Sequence, residues 1–244
     1  ASKDINVYGL DIDKKLVENI NNGKINTTET GLNEMLLIAL QSNKFKAGTH
    51  YLKSDIHIIV VPTPFKNNNE PDISIVEDVA KKLTSTVKEG DLIILESTSP
   101  VGTTEKVAEI IYGDRKDLKD KLYFAYCPER VLPGQIFQEL KDNDRVIGGI
   151  NLESSNKAKL FYEKFVDGRL HLTDCRTAEM CKLVENASRD VQIAFANELS
   201  IICNKADINV WKLIDLANRH PRDDILSPGC GVGGHCIAVD PYFI

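Results

Sequence analysis

Short apolar runs alternate with amphipathic stretches along the first 174 positions. Residues 5–11, INVYGLD, are apolar and end in acid, and residues 14–22 follow as a helix that Gly23 stops. An amphipathic segment at 31–43 leads to IHIIVV at 56–61, a β-branched run predicted to be a strand buried on both faces. The pattern then predicts a helix over 74–88, a strand over 91–95, a helix over about 101–112 and a strand over 122–127. The charged stretch 113–121 reads as a solvated loop. Further strand signals at 145–150 and 169–173 flank a helix at about 154–166. Strand alternating with helix indicates parallel βαβ units.

After Asp174 the period changes. About thirty residues run without Gly or Pro, with apolar positions at Leu183, Ala187, Val191, Ala194, Phe195 and Ile202, which predicts one long helix. Its length suits a spine between domains, an inter-subunit contact or a buried helix. A shorter helix over 209–218 carries Trp211. The organisation expected is an α/β domain over 1–174 and a helical domain over 175–244.

Two loops at predicted strand ends, PTPFKNNNEPD after residue 61 and Glu96-Ser97-Thr98 after residue 95, lie at the edge where open α/β sheets bind ligands. In a dinucleotide fold the acid ending the second strand accepts hydrogen bonds from the adenosine ribose, which makes Asp11 the candidate; Asp13 reads better as a helix cap. The glycine-rich phosphate turn belongs roughly 20 residues before such an acid. Nothing in ASKDINVYGL fits it, so residues 1–3 read as the end of a first helix, with the turn expected upstream. The chain as given is therefore expected to bind NAD poorly.

Composition narrows the function classes. The chain has 244 residues, is 42% hydrophobic and 27% charged, and so can bury a substantial core. A net charge of −6, from 30 basic and 36 acidic residues, argues against a nucleic-acid surface. The five histidines are too scattered for a metal cluster, so no metal is expected. Six cysteines at 127, 175, 181, 203, 230 and 236 include no CxxC pair. With no signal peptide and no membrane-length apolar run in the sequence, free thiols in a reducing cytoplasm are the expectation.

The densest chemistry lies at 227–243, SPGCGVGGHCIAVDPYF. Gly229, Gly231, Gly233 and Gly234 permit positive φ and close approach to a ligand. Cys236 follows them, placed as a nucleophile would be, with Asp240 four residues on. The alternative is a glycine turn beside a buried cysteine. Upstream, Lys182 and Asn186 in TAEMCKLVENA are one helical turn apart and point the same way.

With CPERVLPG at 127–134, ESTSPVGTTEK at 96–106 and NRHPR at 218–222, these strings resemble the UDP-glucose/GDP-mannose dehydrogenase family, and within it the branch acting on UDP-N-acetyl-D-mannosamine. The resemblance implies a Rossmann-like, doubly wound parallel sheet followed by a long central helix and a small helical domain. It also implies continuation past Ile244 into a further, nucleotide-sugar domain. The activity implied is oxidation of a UDP-sugar C6 alcohol to a carboxylate with two NAD in succession, supplying surface polysaccharide, in a homodimer or higher oligomer.

By matching motif, Cys236 would form the thiohemiacetal and thioester, Lys182 and Asn186 would stabilise the oxyanion, and Asp240, Thr98 and Glu129 would handle water and protons. Asp11, Thr63, Ser97 and Thr98 would hold cofactor. Glu129, Arg130, Val131, Leu132, Lys182, Asn186, Arg222 and Gly233 would meet the substrate. Pro133 stands where glucose-specific members carry a second glutamate, and Val239 where they carry lysine. Three alternatives stay open: a sister enzyme for UDP-GlcNAc, UDP-GalNAc or UDP-glucose, a non-catalytic fragment, and a thiol hydrolase. The last has only His235 near Cys236 in sequence.

Overall fold

The computed structural model describes residues 5–27, 29–234 and 236–244; the helix end expected at 1–3 and His235 lie outside them. Among these residues seven strands form two sheets. A parallel pair joins β1 (Val7–Leu10) to β2 (Phe45–Gly48), and a five-stranded sheet runs β3 (Ile56–Ile59), β4 (Leu92–Leu95), β5 (Tyr123–Tyr126), β6 (Arg145–Gly149), β7 (Leu170–Asp174). All pairings are parallel except β5 with β6. The helices are α1 (Lys14–Asn21), α2 (Leu32–Gln41), α3 (Ser74–Leu83), α4 (Thr103–Asp114), α5 (Ile136–Asp142), α6 (Leu152–Tyr162), α7 (Cys175–Lys205) and α8 (Val210–Ala217). This is the Rossmann-like α/β arrangement read from the sequence, followed by a long helix.

Side chains alternate across the sheet as strand geometry requires. Ile93, Leu95, Phe124 and Tyr126 face one core with Val76, Val107, Ile111 and Ala178 from α3, α4 and α7. Leu92, Ile94, Ala125 and Cys127 face a second core with Ala158 and Tyr162 of α6.

β3 departs from expectation: His57 and Ile59 are buried, but Ile58 is 41% and Val60 66% exposed. Helix packing covers one face of this strand and leaves the other open. The stretch 113–121 is also more ordered than a solvated loop, because α4 runs to Asp114 and a 3-10 turn buries Leu118. β2 and α5 carry no strong periodic signal; β2 is only FKAG.

Two contacts fix α7 against the sheet. Gly148 leaves room for it, since a Cβ there would lie 2.3 Å from the Asp174 carbonyl and 2.6 Å from the Ala178 side chain. Glu179, fully buried on α7, accepts hydrogen bonds from the Gly102 N–H (2.6 Å), the Thr104 N–H (2.7 Å) and the Thr104 hydroxyl (2.6 Å). Gly102 cannot cap α4 with a side chain, so a carboxylate from another helix satisfies the orphan donors and complements the helix dipole. Burial raises the Glu179 pKa, and these bonds oppose the rise. Glu179→Ala leaves all three donors buried without an acceptor. At about 1–3 kcal/mol each, a loss on the order of 3 kcal/mol or more is expected in urea denaturation.

Candidate active site

The α7 helix has its N-terminus beside the sheet, capped by Asp174 through the Thr177 N–H at 2.9 Å. Its second and third turns cross the carboxyl ends of the strands. Lys182, half-buried, donates from Nζ to the Glu129 carbonyl at 2.8 Å. One turn on, the Asn186 amide donates to the Asp240 carboxylate at 2.5 Å. Residues 129, 182, 186 and 240 thus form one continuous set, with a single helical face as its spine.

Asp240 begins the 3-10 helix Asp240–Phe243 and is 4% exposed. Burial raises its pKa, opposed by the Asn186 bond and the Lys182 charge. The backbone N–H groups of Val239 and Asp240 donate to the Cys236 carbonyl at 3.0 and 2.9 Å, a single turn that ties Cys236 to Asp240. Cys236 itself is exposed. By contrast Cys127 and Cys175 are buried, which pushes their thiols up to about 11 and about 12. Of these three thiols only Cys236 meets the exposure a nucleophile needs. Gly231 and Gly234 take φ of +114° and +86°, whereas Gly233 and Gly229 do not need positive φ.

The other expected residues are placed less uniformly. Thr98 sits past β4, and its carbonyl accepts from the Thr63 hydroxyl at 2.6 Å, so the loops after β3 and β4 are stitched together. The Ser97 hydroxyl is turned inward, bonded to the Val61 N–H and carbonyl at 2.9 and 2.8 Å; its side chain supports the edge. Glu129 folds back on its own loop to accept from the Val131 N–H, and the Leu132 N–H donates to Glu139 at 2.7 Å. Arg130 is held by Glu185 of α7 at 2.8 Å and by the Asp144 carbonyl at 3.2 Å. Its guanidinium braces the loop. Arg222 is exposed, its Nη2 3.3 Å from His220 Nε2.

Asp11 lies at the end of β1, where one carboxylate oxygen accepts the Asp13 N–H at 2.9 Å. Asp13 caps α1 through the Lys15 and Leu16 N–H groups, as its position in the sequence suggested. The strand-end acid, the Thr63 loop and the Ser97-Thr98 turn all lie along carboxyl edges, which suits a dinucleotide. Among the described residues no group of three His, Cys, Asp or Glu side chains could hold a metal ion. No helix among them is long and apolar enough to cross a membrane.

A buried polar group was not singled out from sequence. Glu96 follows β4, accepts from the Tyr162 hydroxyl at 2.5 Å and lies 4.0 Å from Arg145, whose guanidinium stacks over Tyr162 at 5.0 Å and faces the Cys127 sulfur at 3.8 Å. Burial raises the Glu96 pKa. The one local signal was an arginine opening a strand, because the partners are 49 and more positions from Glu96 in sequence while adjacent in space.

A Rossmann-like sheet whose strand-end loops meet a glycine-rich cysteine loop across one long helix defines a two-part dinucleotide-fold scaffold. The chain belongs to the UDP-glucose/GDP-mannose dehydrogenase family: residues 1–166 match its NAD binding domain and residues 176–244 its central domain. It is 51% identical to the UDP-N-acetyl-D-mannosamine dehydrogenase of Campylobacter jejuni, over all of this chain and 62% of that protein. To the NDP-N-acetyl-D-galactosaminuronic acid dehydrogenase of Ralstonia nicotianae it is 50% identical, over all of this chain and 60% of that protein. Among solved structures, the UDP-D-ManNAc dehydrogenase of Pyrococcus horikoshii superposes with a TM-score of 0.93 at 40% identity, covering 100% of this chain and 59% of that one. The chain thus spans about 60% of the length of the curated relatives it matches.

Proposed function

We propose that this chain carries the cofactor half and the catalytic centre of an NAD-dependent UDP-sugar 6-dehydrogenase whose substrate is UDP-N-acetyl-D-mannosamine. The observation that carries the reading is the junction on α7, where Lys182 reaches the Glu129 carbonyl and Asn186 the Asp240 carboxylate. Segments more than fifty residues apart meet there, and a single backbone turn links Asp240 to the exposed Cys236. Asp11, Thr63 and the Ser97-Thr98 turn would hold NAD, which when bound accepts the hydride.

In the first oxidation the C6 alcohol loses a hydride and a proton to become an aldehyde. The Cys236 sulfur then adds to the carbonyl carbon, and the oxygen takes a proton. That adduct is again a carbinol, whose hydroxyl oxygen can drive hydride off its carbon as the planar aldehyde carbonyl cannot, so a second hydride and the hydroxyl proton can leave and a thioester remains. Water adds to the thioester, its proton passing to Asp240 or a neighbouring base. The C–S bond breaks with its electron pair on sulfur, releasing the carboxylate. The Lys182 ammonium and the Asn186 amide stabilise the oxyanion that forms at each addition. The loop from Glu129 to Leu132 lies where it would position the sugar and diphosphate, and Arg222 and Gly233 would close the site.

A second reading is favoured by the 50% identity to the galactosaminuronic acid enzyme: another N-acetylated UDP-sugar is the substrate. Following NADH release by the full-length protein across a panel of UDP-sugars decides. Preference for UDP-N-acetyl-D-mannosamine is expected, and no NADH from any UDP-sugar would overturn the proposal. In this reading the product supplies surface polysaccharide, and the protein works in the cytoplasm with its six cysteines free.

The partner expected in solution is a second copy. Along α7 and α8, Val184, Val191, Phe195, Ile202, Trp211 and Leu216 are 49–67% exposed. An apolar stripe of that extent is costly to leave in water. A dimeric or larger mass by light scattering is expected for the full-length protein, and Phe195→Asp should shift it toward monomer. A monomeric wild type would count against this surface.

A further inference from the structure

The loop between β5 and α5 has its backbone N–H groups held by carboxylates. The Val131 N–H donates to Glu129 of the same loop, and the Leu132 N–H to Glu139 of α5 at 2.7 Å, so these two acids act across two and seven positions of sequence. Farther along, the Gly134 N–H donates to Glu29 Oε1 at 2.5 Å and the Ile136 N–H to Glu29 Oε2 at 3.4 Å, across 105 and 107 positions. One carboxylate from the connection between α1 and α2, beside the β1–β2 pair, thus ties down the far end of a loop whose near end lies at the Lys182 contact.

Both sides of this tie are set locally. Glu29 is half-buried, its own N–H donates to the Thr27 hydroxyl at 3.0 Å, and its carbonyl accepts from the Leu32 N–H at 3.4 Å where α2 begins. Gly134 takes φ of +91° with open space around it, so backbone conformation and not crowding calls for glycine there. The near end of the loop is held by other groups. Glu185 takes the Arg130 guanidinium at 2.8 Å, and the Arg130 carbonyl accepts from the Asn143 amide at 3.1 Å. Loss of the Glu29 carboxylate therefore releases the stretch 133–136 while residues 129 and 130, and the Lys182 contact with them, keep their anchors.

We propose that Glu29 is a positioning residue for the UDP-sugar: by accepting from Gly134 and Ile136 it fixes the far end of the loop, so that Val131 and Leu132 meet the substrate in one conformation. A loop ordered in advance costs less to order on binding. The benefit falls on affinity and not on the chemical steps, because Lys182 and Asp240 are held by other contacts. This inference rests on the function proposed above.

The test compares Glu29→Ala, Glu29→Gln and Glu29→Asp in the full-length protein with NAD and UDP-N-acetyl-D-mannosamine. Glu29→Ala is expected to raise KM for the UDP-sugar roughly 10-fold, the low end for a hydrogen bond to a charged group, with kcat and the KM for NAD unchanged. Glu29→Gln keeps an acceptor oxygen at the same reach and should stay near wild type. Glu29→Asp keeps the charge but falls one methylene short, and it should behave like alanine. The reverse order, with aspartate near wild type and glutamine as poor as alanine, would assign the residue to long-range electrostatics and overturn the inference. So would a Glu29→Ala protein whose kcat fell while KM held.

Hydrogen exchange read by mass spectrometry, without substrate, gives a readout independent of activity. Peptides covering 131–137 should exchange faster in Glu29→Ala than in wild type, while peptides from β4 and β5 keep their protection. Equal exchange of 131–137 in the two proteins would overturn the inference, and loss of protection throughout the sheet would make Glu29 a residue of the fold and overturn it as well. If the wild type released no NADH from any UDP-sugar, the functional proposal would fail, and the exchange comparison would still decide whether Glu29 holds the loop.

Discussion

Cys236→Ala in the full-length protein is expected to stop the reaction halfway, releasing a single NADH per UDP-sugar and leaving an aldehyde. Removal of the alcohol's hydride needs a base and an acceptor but no bond to sulfur, so the first step survives in kind. The second oxidation loses the group whose addition turns the aldehyde into a carbinol able to release hydride, and uronate formation should drop by about 10³-fold or more, the range seen when a covalent nucleophile is lost. The aldehyde hydrate sets the floor, since addition of water also gives a carbinol that can release hydride, slowly and without the sulfur's placement.

The geometry makes the substitution a clean probe. Cys236 is exposed and its side chain supports no core, whereas Cys127 and Cys175 are buried, so alanine at 236 should not cost stability. NADH stoichiometry, trapping of the aldehyde with a hydrazine, and mass spectrometry for a sulfur adduct in the wild type read the result. Uronate production by Cys236→Ala at near wild-type rate would remove both the thioester route and the Gly-rich loop as its centre.

Much of the scaffold was legible in the chain because its signals are local. β4 and β5 are short apolar runs between amphipathic stretches, and the thirty-residue period after Asp174 names α7. β2 was not legible: four residues containing Lys46 and Gly48 carry no alternation, and pairing with β1 defines the strand. The exposed face of β3 was misread because an unbroken β-branched run specifies strand but not how many of its faces a helix will cover. In the site, Lys182 and Asn186 were visible as a helical pair, since a spacing of four fixes their common direction. Arg130 was named only through its motif, as a substrate contact; its pairing with Glu185 depends on α7 passing the loop after β5, a tertiary fact. Glu179 was missed for the same reason, since it reaches a helix start 75 or more positions away.

Lys182→Ala should differ from the cysteine variant in kind, slowing both oxidations. The ammonium lies half-buried between the Glu129 carbonyl, which it reaches at 2.8 Å, and the buried Asp240 carboxylate, whose ionised form its charge favours. In the proposed reaction it would stabilise alkoxide character at the C6 oxygen in the first step and the oxyanion of the sulfur adduct in the second. Each loss is expected at about 2.7–4 kcal/mol, or 10²–10³ in kcat, the scale for removing one preorganised donor in a water-poor site. A second consequence follows from the same geometry. Without the cation, burial acts on Asp240 unopposed save for Asn186, so its pKa rises and residual activity should require higher pH than in wild type. Lys182→Arg keeps the charge but replaces a compact ammonium with a planar fork, and it should restore the pH profile more fully than the rate. Single-turnover rates for NADH formation from the UDP-sugar and from the aldehyde, measured on both variants, separate the two steps. A Lys182→Ala protein that oxidised the alcohol normally and failed only at the aldehyde would assign the lysine to the sulfur adduct alone and remove it from the first hydride transfer.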